Sequence, residues 1–127
     1  MLDIVGWQGI PEKWTDHPTH AHNRLITSVV LSNEERRAVA RAHSEQLGSA
    51  KGPVAFILAD RGYGEWDREG ADLHDKSGLE AFQSELRATL PENVVKHEID
   101  AHRNDAAFAD KALLIFDNWR AEGVVQG

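Results

Sequence analysis

Apolar, β-branched runs alternate with amphipathic segments along this chain, and this alternation constrains the fold more than any single motif. Four runs are typical of strands, at 2–5 (LDIV), 25–31 (LITSVVL), 53–59 (PVAFILA) and 94–99 (VVKHEI). Elsewhere apolar residues recur every three or four positions, which predicts helices near 33–47, 79–90 and 105–119. Alternating strands and helices favour a mostly parallel sheet joined by right-handed crossovers. We therefore predict an α/β protein with a Rossmann-like three-layer fold, in which helices flank a mostly parallel sheet.

The size and composition of the chain fit one globular domain. It has 127 residues, an ordinary length for a single domain, so we expect one α/β domain spanning 1–127. No apolar run is long enough to cross a bilayer, and the amino terminus lacks the pattern of a signal peptide. The formal charge of −7 argues against nucleic acid as a partner, and the absence of cysteine excludes disulfides and thiol nucleophiles. These features predict a cytoplasmic protein that binds neither nucleic acid nor membrane.

A polar loop, ADRGYGEWDREG (59–70), follows the most apolar of the predicted strands. Arg61 and Gly62 stand at its start. Loops at the carboxyl ends of parallel strands commonly carry binding sites. Glycine lets a ligand approach the backbone closely, and arginine holds a carboxylate or phosphate with two parallel hydrogen bonds. The loop therefore indicates an anion site, and the alternative is a surface turn with an Asp60–Arg61 pair.

A second polar loop, DAHRND (100–105), joins the strand at 94–99 to the last helix. Asp100 and His102 suit proton transfer, because a carboxylate that holds a histidine is a usual arrangement for acid–base chemistry. The alternative is a hydrogen-bond network that fixes the loop. Asn104 or Asp105 is expected to cap the following helix.

A third loop, HPTHAHN (17–23), carries three histidines. His17, His20 and His22 are suitable zinc ligands by residue type, but their spacing matches no standard zinc motif. We therefore predict no metal here. A serine nucleophile is not indicated either, because the sequence lacks GxSxG.

Five segments form a series that runs along nearly the whole chain. They are LDIVGWQGIPEKW at the amino terminus, HN at 22–23, GPVAFILADRG at 52–62, LHD at 73–75 and DAHRNDAAFAD at 100–110. Together they resemble the carboxyl-terminal part of the UPF0261, or Tm-1-like ATP-binding, family. The last segment usually reads DAHINDPAFAD in that family, and this chain differs from it at Arg103 and Ala106.

The resemblance implies a protein of two Rossmann-like subdomains, with ATP binding and inhibition of a viral replication protein in the plant virus-resistance member. This chain resembles the second subdomain only, so the N-terminal subdomain is an implied partner and ATP an implied ligand. Arg24, Val30 and Gly64 stand where family members tend to carry Pro, Arg and Ser, and Lys76 and Ala106 replace prolines. The candidate pocket residues that the resemblance carries over are His22, Asn23, Arg61, Gly62, Asp75, Asp100, His102, Asn104 and Asp105.

Three functional hypotheses follow. The leading one is a ligand-binding subdomain of a Tm-1-like protein, which forms half of a cleft for a nucleotide (ATP) or another small anion. The alternative is an enzyme in which Asp100 and His102 perform acid–base chemistry on a small carboxylate- or phosphate-bearing substrate, with or without a divalent metal. The third is a protein-interaction module, and a homodimer is also left open. Both small-ligand hypotheses require the three loops to converge.

Overall fold

The computed structural model describes residues 1–6 and 9–125, which form a mixed α/β architecture. Its main elements, in chain order, are β1 (Leu2–Val5), β2 (Thr19–Ala21), β3 (Ile26–Val29), α1 (Asn33–Gly48), β4 (Val54–Ala59), α2 (Lys76–Thr89), β5 (Val94–Ile99) and α3 (Ala106–Ala121). The predicted α/β class is therefore confirmed. None of the described helices combines the length and the hydrophobicity that a membrane span requires.

The parallel pair β4–β5 places two of the polar loops side by side. The strands run parallel, as the sequence predicted, and their register runs from Val54 opposite Val94 to Ala59 opposite Ile99. Beyond the last pair, the Asp60 amide donates to the Ile99 carbonyl at 2.9 Å. The loops that follow β4 and β5 therefore leave the same edge of the sheet, where ligands bind in open α/β sheets.

The described core lies between β4 and the helix pair α1–α2. Leu58 from β4, Ala40 from α1 and Leu86 from α2 have no exposed surface. Phe56 and Phe82 pack against them and remain partly exposed. This small cluster fixes the start of the loop after β4, because Leu58 lies next to the last residue of that strand.

The prediction that residues 25–31 belong to the parallel sheet is wrong. β3 lies instead in an antiparallel sheet of order β1–β3–β2. The Asn23 Oδ1 atom accepts hydrogen bonds from the Leu25 and Ile26 amides at 2.7 and 3.0 Å, which closes a tight turn between β2 and β3. Because β2 and β1 occupy both edges of β3, no edge is left for pairing with β4. Within the described residues the parallel sheet has two strands.

Two of the helices, α1 and α2, begin at side-chain caps. Ser32 and Glu35 form the capping box that begins α1: the Glu35 amide donates to Ser32 Oγ at 3.3 Å, and the Ser32 amide donates to Glu35 Oε2 at 2.9 Å. α2 begins three residues before the predicted position 79, because Asp75 caps it by accepting a hydrogen bond from the Gly78 amide at 2.9 Å.

Candidate functional site

A cleft of about 390 Å³ lies between the antiparallel sheet and the loop after β4. All three predicted loops contribute to its lining. The loop after β4 supplies residues 63–67, the loop after β5 supplies Arg103, and the third loop supplies His22. Asp3, Ile26 and Ser28 of the antiparallel sheet line it as well. The loops therefore converge, but mostly through residues that the sequence had not singled out.

The carboxylates of the cleft already have hydrogen-bond donors. Asp3 accepts a hydrogen bond from the Ser28 hydroxyl at 2.6 Å, and Asp67 accepts one from the Gly64 amide at 3.1 Å. Glu65 accepts from the Asn104 amide group at 2.8 Å and from Arg68 at 2.9 Å. The hydrogen bond from Asn104, and then that from Arg68, lower the pKa of Glu65 below its ordinary value. Glu65 is therefore an ionised acceptor at neutral pH.

An aromatic cluster closes one side of the cleft. The Trp66 ring lies 4.2 Å from the ring of His20, tilted by 31°, and 6.0 Å from the ring of His22 in an edge-to-face arrangement. This cluster connects β2 and the turn after it to the loop after β4. Trp66 is still 40% exposed, so part of the indole remains available to a ligand.

Among the described residues, Arg103 is the one Arg or Lys side chain that lines the cleft, and sequence reasoning missed it. Its backbone amide donates to the Gly62 carbonyl at 3.0 Å, which fixes the position of the residue. Its guanidinium forms no ion pair or hydrogen bond with the described residues. The sequence signal was its place in the middle of DAHRND, at a position where the family usually has an apolar residue.

A second cavity of about 340 Å³ adjoins the cleft and shares Tyr63, Asp67 and Arg103 with it. Its other walls are mostly apolar and include Phe56, Leu79 and Phe82. The Tyr63 hydroxyl in this cavity already accepts a hydrogen bond from the Ala59 amide at 3.1 Å. Arg103 thus lies where a polar and an apolar cavity meet.

The structure does not bring Asp100 and His102 together as an acid–base pair. The Ala101 amide donates to the Ile99 carbonyl at 2.9 Å, so the chain turns sharply after β5. Asp100 is directed to solvent, where its carboxylate accepts two hydrogen bonds from Arg61 at 2.8 and 2.9 Å. These hydrogen bonds lower the pKa of Asp100. The geometry gives the enzymatic alternative no support.

His102 is directed inward and is only 1% exposed. Its Nδ1 atom accepts a hydrogen bond from the Asn104 amide at 3.1 Å, so the proton lies on Nε2, which donates to the Gly64 carbonyl at 3.1 Å. The nearest carboxylate oxygen, on Asp67, is 3.8 Å from Nε2. His102 therefore connects the loop after β5 to the loop after β4.

Four other predicted pocket residues have structural contacts. Asn23 closes the β2–β3 turn, and Arg61 pairs with Asp100. Gly62 has a φ of +112°, and a Cβ atom there would lie 3.3 Å from the His102 ring. Asp75 caps α2 and accepts a hydrogen bond from the buried Arg36 at 2.7 Å. A ligand role for these residues stays a prediction.

The last two, Asn104 and Asp105, hold the loop together rather than cap α3 with their side chains. Asn104 donates to Glu65. Asp105 occupies the N-cap position, but its carboxylate accepts from the His102 amide at 2.8 Å and from Arg68 at 3.0 Å, with no bond to the helix. The predicted side-chain cap of α3 is therefore wrong. The hydrogen bond from the His102 amide, followed by that from Arg68, lowers the pKa of Asp105.

The histidine-rich loop contains no arrangement suited to a metal. Within residues 1–6 and 9–125, no three His, Cys, Asp or Glu side chains form a group that could hold an ion. His17 contacts Glu35 at 3.2 Å, and His20 stacks on Trp66. His17 is thus directed to α1, whereas His20 and His22 both contact Trp66.

Comparison with known sequences identifies relatives along nearly the whole chain. The sequence model of the C-terminal domain of the uncharacterised protein family UPF0261 matches residues 1–120. A UPF0261 protein from Brucella melitensis is 49% identical over 125 residues, and the alignment covers 98% of this chain and 30% of that protein. A UPF0261 protein from Rhizobium meliloti is 26% identical over 120 residues, covering 91% of this chain and 30% of the relative. The chain thus spans less than a third of the length of these relatives.

Proposed function

Because the chain belongs to the UPF0261 family, we propose a function for it as a domain of that family: it binds a nucleotide or another small anion in the cleft between β3 and the loop after β4. ATP is the ligand that the resemblance to Tm-1-like proteins suggests. The cleft volume of about 390 Å³ is within the ordinary range for small-molecule sites. The whole ligand site would include surfaces from outside this chain.

The observation that carries the proposal is the position of Arg103. Its guanidinium lines the cleft without an ion-pair partner among the described residues, and a guanidinium can bind a phosphate through two hydrogen bonds. Trp66 offers part of its ring surface for stacking on a base. The two binding modes together suit a nucleoside phosphate.

The charges of the cleft favour one part of a nucleotide over another. Asp3, Glu65 and Asp67 line the same cavity as Arg103, so the local field is negative. Carboxylates accept hydrogen bonds from ribose hydroxyls and base N–H groups, but they repel phosphates. We therefore propose that this cleft holds the nucleoside and one phosphate. Further phosphates of ATP would be bound by cations outside this chain.

Isothermal titration with AMP, ATP, adenosine and inorganic phosphate tests the proposal. AMP should bind more tightly than adenosine or phosphate alone. Arg103→Ala should weaken AMP binding about tenfold or more, because a charge-assisted hydrogen bond is lost. Arg37→Ala is the matched control, since Arg37 is an exposed α1 arginine that does not line the cleft. Equal affinities for AMP in both variants would contradict the proposal.

We also infer a Rossmann-like sheet larger than β4–β5 in the full-length relatives. A two-stranded sheet buries little surface on its own, and the other edges of β4 and β5 are unpaired within the described residues. A structure of the Brucella melitensis relative in which these strands have no further neighbours would refute the inference.

A further inference from the structure

The helix α3 carries large apolar side chains on several sides. Phe108, Ile115 and Trp119 are partly buried against the rest of the molecule, yet no residue of α3 is fully buried. Leu113, Leu114 and Phe116 are 60%, 53% and 48% exposed. A helix that is apolar on most sides is typical of a position inside a larger protein.

The neighbouring strand extends this apolar surface. Val95 of β5 is 58% exposed, and Val95 and His97 share a face of the sheet because side chains alternate along a strand. Val95 and His97 pair with Ala55 and Ile57 of β4, on the face of the sheet opposite to Phe56 and Leu58, and α3 contacts β4. We call Val95, Leu113, Leu114 and Phe116 the α3 face.

The chemistry of the α3 face selects the kind of partner. Asp110, Asp117 and Arg120 lie among its apolar residues and are exposed, so the surface has neither the basic rim of a site for anionic lipid nor a single strong charge. Exposed apolar surface of this kind, rimmed by charges of both signs, is typical of a protein–protein interface.

The arrangement of the exposed residues around α3 argues against a second copy of this chain as the occupant. A helix of 16 residues is about 24 Å long. An antiparallel pair of such helices would cover one side of each helix, and stable interfaces commonly bury about 800 Å² per partner. Leu114 and Phe116 are two positions apart, about 200° around the helix axis, so one neighbouring helix cannot cover both.

A larger body of the right kind is present in the relatives. This chain covers 30% of the Brucella melitensis protein, so most of that polypeptide lies outside the matched segment. We propose that the α3 face is the surface on which the remainder of the UPF0261 polypeptide, including its N-terminal subdomain, packs. The proposal does not depend on the ligand cleft, because neither Arg103 nor Trp66 belongs to this surface.

The test compares this chain alone with a full-length chimera, in which the chain replaces the matched segment of the Brucella melitensis protein. Thermal unfolding is measured for both, without nucleotide. The double substitution Leu113→Glu/Phe116→Glu should lower the midpoint of the chimera by about 5 °C or more, since two buried apolar side chains become charged. The midpoint of the chain alone should change by about 1 °C or less, since both residues are exposed there.

Leu25→Glu is the matched control, because Leu25 is an apolar residue that is 79% exposed in the β2–β3 turn and does not belong to the α3 face. It should leave both proteins unchanged. The proposal is overturned if the double substitution has no effect on the chimera, if it destabilises both proteins equally, or if the unsubstituted chimera shows no cooperative transition. A dimer of the chain alone in sedimentation, abolished by the same substitution, would instead identify a second copy as the occupant.

Discussion

The two loops that follow β4 and β5 and the helix α3 differ in a way that their residue types do not predict. The loops carry acids, an imidazole and an amide, and yet the side chains of His102, Asn104 and Asp105 all hydrogen-bond to other parts of the same loops. α3 is rich in apolar residues, and yet its leucines are half exposed. The polar side chains of the loops hold the loops in place, whereas the α3 face, which is available for interaction, is apolar. The following predictions test this contrast, from the largest effect to the smallest.

His102→Ala should lower the free energy of unfolding by about 3 kcal/mol, because it leaves a cavity and removes the bonds to Gly64 and Asn104. Urea unfolding followed by circular dichroism measures it. Asp100→Ala is the control in the same loop, and since its pair with Arg61 is exposed to solvent, this change should cost much less than His102→Ala. Equal losses of unfolding free energy in the two variants would show that His102 supports the fold no more than the exposed Asp100–Arg61 pair does.

Gly62→Ala should cost about 1 to 2 kcal/mol in the same measurement. The φ of +112° is unfavourable for any residue with a Cβ atom, and that atom would press on the His102 ring and on Asp67. Gly70→Ala shares the positive φ, at +85°, but has no neighbour within 4 Å, so it should cost less. The difference between the two losses of unfolding free energy measures the contact of the added Cβ atom with His102.

Acidification should weaken the loop network. The folded-state pKa values of Glu65 and Asp105 lie below their ordinary values, so their contribution is fully present above those values. It is lost as the pH falls below about 4, through the folded-state values. Glu65→Gln should make the unfolding free energy less dependent on pH in this range. An unchanged pH profile would show that Asn104 and Arg68 do not favour the ionised form of Glu65.

Leu113→Ala should change the unfolding free energy of this chain by about 0.5 kcal/mol or less, because the side chain is already 60% exposed. Leu86→Ala, at a helical leucine with no exposed surface, should cost about 3 kcal/mol. A loss at Leu113 comparable to that at Leu86 would mean that α3 is packed within this chain.

Features that depend on neighbouring residues were predictable from the sequence. Ser32 and Glu35 identified the start of α1, and the apolar runs identified β4 and β5. The pairing of β3 was not predictable in this way, because β2 is a three-residue strand, THA, with no apolar pattern. Its position depends on the Asn23 turn and on β1, which is more than twenty residues away in the chain.

The sequence indicated the loops that line the cleft but not most of the lining residues. The carboxyl ends of β4 and β5 do lead into the cleft lining. Which side chains reach the cleft depends on a single turn at Ala101, which sends Asp100 outward and His102 inward and leaves Arg103 at the cleft. Residue type cannot determine such a direction, because it follows from backbone hydrogen bonds between loops that are far apart in sequence.

The separation of the two sheets has a mechanical consequence. Within the described residues, no hydrogen bond or ion pair joins residues 1–30 to residues 59–125, and the contact of Trp66 with His20 and His22 bridges them instead. A change in the width of the cleft therefore breaks no hydrogen bond of either sheet. The ring contacts of Trp66 and the His17–Glu35 hydrogen bond at 3.2 Å would bear such a change, so the width of the cleft depends on a few side chains and not on the backbone ladders.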